Sequence, residues 1–83
     1  MKMNELIGRL EESENTDRRA LSRAMKRNYL TLKKEEDLDR RNNGFEFLNG
    51  CINTMLALGE ITGSEENELW NELFACFQRE EKL

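Results

Sequence analysis

An all-α fold is predicted by three features of the 83-residue sequence: it contains no proline, it contains no valine, and its apolar residues recur at helical spacing. The length bounds one domain, residues 1–83, near the size at which a single core becomes thin. The expected architecture is a small bundle of three to four helices, with a central antiparallel hairpin formed by the last two.

The first predicted helix covers about Met3 to Glu12, where Met3, Leu6, Ile7 and Leu10 repeat at i, i+3, i+4, i+7 and make one apolar stripe. Ser13 to Thr16 is rich in capping residues, so a break falls there, with Asn15 or Thr16 capping the next helix. The second helix runs from about Asp17 to Lys34. Leu21, Ala24, Met25, Tyr29 and Leu32 share one arc, and the opposite arc is basic.

Residues 35–44 read two ways. The apolar phase slips between Leu32 and Leu38, which predicts a break near residues 33–37, and Asn42-Asn43-Gly44 has the composition of a turn or C-cap. Against that, Glu36–Arg40 and Asp37–Arg41 are helix-supporting pairs. Leu38, Phe45 and Ile52 also share a heptad position, so one helix running through Gly44 is the alternative.

The third helix, about Phe45 to Ile61, carries Phe45, Phe47, Leu48, Cys51, Ile52, Met55, Leu56 and Leu58 over half its circumference, which predicts at least two neighbours. Thr62-Gly63-Ser64 is a tight connection, and Thr62 with Glu65 has capping-box spacing. The fourth helix, about Glu65 to Glu81, gathers Leu69, Trp70, Leu73, Phe74, Cys76 and Phe77 on a broad face. Trp70, Phe74 and Phe77 are therefore either core or a dimer contact, because one antiparallel neighbour covers less than that arc.

Chemistry is sparse. The chain has no histidine, so the commonest general base is missing, and no nucleophile–base pair is suggested by spacing. Cys51 and Cys76 sit on apolar faces, where buried thiols are inert, and two cysteines without histidine make no zinc site. The five glycines match no nucleotide-binding fingerprint. A protein that is not an enzyme, with no catalytic residue, metal or cofactor, is the expectation. The N-terminal residues do not resemble a signal peptide and no stretch reaches the length of a membrane span, so a cytoplasmic location is expected.

Charge is the informative feature. Residues 18–34 sum to +7 without a single acid, whereas residues 1–17 sum to −3, residues 35–41 to −2 and residues 42–83 to −6. Such segregation exceeds what solubility requires. Arg19, Arg23, Lys26, Arg27 and Lys34 lie on the basic arc, and Leu30 points into its middle.

Three uses of this face compete. It could be a solvated face beside the chain's own acids, a phosphate-binding stripe for nucleic acid, or a docking surface for an acidic patch on a protein partner with Leu30 as anchor. The protein partner is preferred, since a chain of net charge −4 is repelled from polyanions everywhere except along this stripe. The reading is a non-enzymatic interaction or regulatory module, with a nucleic-acid-binding regulator as the alternative. Small size and missing chemistry also suit an inhibitor of a larger nucleic-acid-handling complex, of the kind that phages and mobile elements encode.

Overall fold

A computed structural model describes residues 1–78 and contains four helices among them. These are α1 (Met3–Glu11), α2 (Thr16–Lys34), α3 (Leu38–Ala57) and α4 (Gly63–Phe77). The expected end of the last helix near Glu81 lies outside the described residues.

Each start is set by a side chain that satisfies backbone N–H groups the helix cannot pair itself. The Asn15 side chain accepts from the amides of Asp17 and Arg18 at 2.9 and 3.1 Å. Asp37 caps α3 through the Asp39 amide, at 3.2 Å. Thr62 and Glu65 form the reciprocal box at α4, at 2.9 and 3.1 Å. The turn between α3 and α4 lies earlier than the Thr62-Gly63-Ser64 expected from sequence. It uses Leu58 to Ile61, with Gly59 at φ +74°, a left-handed conformation that glycine adopts without strain.

α2 packs against all three other helices. On one side α1 returns along it, bringing Glu11 to Lys26. On the other, α3 returns along it, and the two meet at Gly44. α4 runs back beside α3, so that Phe77 reaches Phe45, with ring centroids 5.1 Å apart. Met3, Leu6, Ile7, Leu10, Met25, Leu32, Leu48, Ile52, Met55, Leu69 and Leu73 fill the centre.

The break falls at Glu35 to Asp37, and α3 then runs without interruption through Asn42-Asn43-Gly44, so there is no turn at Gly44. The glycine serves packing instead. A Cβ built on it would sit 3.0 Å from the Asn28 carbonyl oxygen and 3.6 Å from a Thr31 methyl, so the absence of a side chain lets α3 lie against the backbone of α2.

Two polar ties were hidden among residues that look like surface charges. Arg41 is 2% exposed; it donates to the Phe77 carbonyl, and its guanidinium lies over the Phe77 ring, 5.5 Å from the centroid. Phe77 therefore belongs to the interior edge of the bundle. Glu72 accepts the Met3 amide at 2.7 Å on one oxygen and the Tyr29 hydroxyl on the other, joining α1, α2 and α4 through one carboxylate. Burial, and then the bond to Glu72, raise the Tyr29 hydroxyl above the ordinary tyrosine range.

Candidate interaction surface

The outer face of α2 is defined by what the inner one buries. Ser22, Met25, Tyr29 and Leu32 point inward, so Arg23, Arg27, Leu30 and Lys34 stand opposite, and all four are exposed. Leu30 is 52% exposed. No carboxylate pairs with Arg23, Arg27 or Lys34 among the described residues.

The other members of the basic set have intramolecular partners. Arg19 is partly buried; it donates to the Ser13 carbonyl at 2.8 Å and to the Thr16 hydroxyl at 3.3 Å, fastening the α1–α2 connection. Lys26 lies 3.8 Å from Glu11 while keeping its side chain largely in solvent. Arg18 pairs with Glu60, and the Lys33 ammonium sits 4.9 Å from the centre of the Tyr29 ring. Of the six residues singled out from sequence, Arg23, Arg27, Leu30 and Lys34 thus share one open face. Lys26 borders it, and Arg19 is committed to the fold. Glu11, from α1, thus borders the outer face of α2, whereas Glu60, from the α3–α4 turn, pairs on the side that faces α3.

α4 presents a different surface. Trp70 stacks on Phe74, centroids 4.8 Å apart, and remains 38% exposed, so the bundle covers it only in part. Between α2 and α3 runs an apolar groove of about 470 Å³ lined by Leu21, Phe47, Cys51, Thr54, Met55 and Leu58. Sequence periodicity had assigned Phe47 and Leu58 to an interior face; Leu58 is in fact 68% exposed. Their positions at the edge of the apolar arc are the signal that could have marked them.

Cys51 and Cys76 are both half-buried rather than fully enclosed. Burial pushes the Cys51 thiol up, away from the reactive thiolate. Among the described residues no group of carboxylates and thiols is arranged to hold a metal ion, and no helix is long and apolar enough to cross a membrane. Compared with known proteins, the chain matches no family model, no curated protein and no solved structure.

Proposed function

We propose that the protein is a non-enzymatic interaction module whose α2 docks on an acidic patch of a protein partner. Leu30 is the apolar anchor, and Arg23, Arg27 and Lys34 surround it. The action is regulatory: occupying that acidic surface changes what the partner can bind, which is how a small inhibitor of a larger complex works.

One observation carries the reading. An exposed leucine stands among three cations that have no carboxylate of their own among the described residues. A face serving only as a solvated surface gains nothing from a leucine there. A phosphate-binding face would spend its central position on a polar group and would not be bordered by the Glu11 carboxylate, which repels phosphate. An apolar anchor ringed by charge is the anatomy of a protein–protein hot spot.

The test uses the partner captured from a nuclease-treated extract of the native host, purified and titrated against variants. Leu30→Ala should weaken binding by about 1–2 kcal/mol, roughly 5- to 30-fold, and leave the helical circular dichroism unchanged. Arg23→Ala and Arg27→Ala should act mainly on the association rate and flatten its dependence on salt. Tight, salt-sensitive binding of the purified protein to random DNA or RNA, weakened equally for all sequences by Arg23→Ala and Arg27→Ala and indifferent to Leu30→Ala, would transfer the face to nucleic acid.

A further inference from the structure

The surface of α2 beside Leu30 is not smooth. Three hollows follow one another along its shoulder toward α1. The first is walled by Arg19, Ser22, Arg23 and Lys26, with Glu11 of α1 at its side. Arg23, Lys26, Arg27 and Leu30 wall the second. The third lies between Lys26, Tyr29, Leu30 and Lys33, with Asn4 of α1 beside it. Each set of four α2 residues has the spacing i, i+3, i+4, i+7. That diamond is the hole that receives one side chain of a facing helix in knobs-into-holes packing. Lys26 is a corner of all three.

We infer that the element of the partner that docks here is a single amphipathic α-helix, laid along this shoulder with apolar side chains at heptad spacing and carboxylates on one flank. The inference rests on the docking role proposed for α2 and names the chemistry of its occupant. Spacing selects a helix. Arg19, Arg23 and Lys26 open the successive hollows, so by the α-helical rise these follow one another at about 6 and 4.5 Å. Side chains four and three residues apart on a facing helix repeat those intervals. An extended segment sets same-face side chains about 6.7 Å apart and overshoots the third hollow by about 3 Å.

Any exposed helix has such diamonds, but short side chains leave them flat. Here the stems of lysine and arginine raise the walls. The middle hollow is the largest of the three, about 380 Å³, and is walled almost wholly by hydrocarbon. Such walls enclose an apolar side chain and leave the charged tips at the rim. Charge fixes the flanks. Arg23, Arg27 and Lys34 hold the open bank without a carboxylate among the described residues. The α1 bank offers Asn4 and Glu11 and attracts no acid. A helix that is apolar along its seam and acidic toward the open bank satisfies both.

Lys26 supplies the test, because its stem and its charge can be removed separately. Its pairing with Glu11 at 3.8 Å is a surface contact whose loss leaves the fold intact. The probe is a stapled helical peptide of about 20 residues, roughly 30 Å, with leucines at a and d and glutamates on one flank. Its control is an isomer of the same composition whose leucines are spread around the helix. Titrated into the isotopically labelled full chain, the probe should shift amide resonances of residues 19–33 together with Asn4 and Glu11. It should bind about tenfold tighter than the isomer. Lys26→Met, which keeps the hydrocarbon wall, should bind the probe within about threefold of the wild type, whereas Lys26→Ala should weaken it about tenfold. Equal binding of the two peptides, equal weakening by the two substitutions, or no binding of the probe at millimolar concentration would each overturn the helical occupant while leaving an acidic patch docked on α2. A captured partner indifferent to Leu30→Ala would instead overturn the docking role, and this inference with it.

Discussion

Gly44→Leu will force α2 and α3 apart and destabilise the protein by about 3 kcal/mol, at the upper end of what overpacking costs. The first atom of the new side chain already meets a backbone oxygen, Asn28 O at 3.0 Å, and the remaining atoms are aimed at Thr31 and the Leu32 amide. A backbone carbonyl inside a helix cannot turn aside as a flexible side chain can, so the two helices must separate. Leu32 and Leu48, fully buried on either side of that seam, lose contact with each other's surroundings.

The loss is large against a domain of this length, which holds on the order of 5 kcal/mol in total. Gly44→Ala is the control. The small displacement it requires opposes a gain of about 1 kcal/mol from replacing glycine inside a helix, so its stability should lie within about 1 kcal/mol of the wild type. Urea denaturation of the three proteins decides the matter. A Gly44→Leu protein as stable as the wild type would mean that α3 does not lie against the α2 backbone.

Glu72→Ala should cost about 3 kcal/mol, since it strands two donors that are partly or wholly withdrawn from water. Met3 is fully buried, and its amide at the start of α1 has no partner within its own helix, so Glu72 is its acceptor. Tyr29→Phe removes the second donor and should cost about 1.5 kcal/mol. The double variant should fall short of the sum by about 1 kcal/mol, because the Tyr29–Glu72 bond is counted in both single changes.

Alkaline titration gives a second readout, as Tyr29 is the chain's only tyrosine. Its folded-state pKa is raised by burial and by Glu72. The resulting stabilisation is fully present below the ordinary tyrosine value and is lost as pH rises through the folded value. Tyrosinate absorbance should therefore appear late, together with unfolding, and Glu72→Ala should bring it earlier. Ordinary titration of the folded wild type would remove Glu72 and Tyr29 as a buried pair.

Most of the helical layout is legible in the sequence, because caps and periodicity are local. Asn15, and Thr62 with Glu65, mark helix starts where they are expected, and Met3, Leu6, Ile7 and Leu10 make the stripe their spacing predicts. The failures are tertiary. Asn42-Asn43-Gly44 has the composition of a turn, and only the proximity of Asn28 reveals why a helix keeps glycine there. Glu72 looks like any surface carboxylate, since its partners lie 69 and 43 residues away in the chain. Phe47 and Leu58 fall on the apolar arc of α3, but periodicity cannot say how far a neighbour reaches around it. The outer face of α2 is the better case. Charge and phase together identified Arg23, Arg27, Leu30 and Lys34, whereas Arg19 was lost to a cap contact that depends on how the preceding connection folds.

The bond between Glu72 and Met3 also bears on the order in which the molecule assembles. Helices that are neighbours in sequence pack together across short connections, so most of the bundle can form by local search, which favours rapid folding. Closing the chain's beginning onto its last described helix spans the longest separation, longer than the contact of α2 with α4, and carries the greatest loop-closure entropy. That contact should form after the rate-limiting step, leaving the folding rate of Glu72→Ala nearly native and placing its destabilisation in faster unfolding. The carboxylate then governs how long the folded protein survives each opening at its ends, and with it exposure to proteases, more than how quickly the fold is reached.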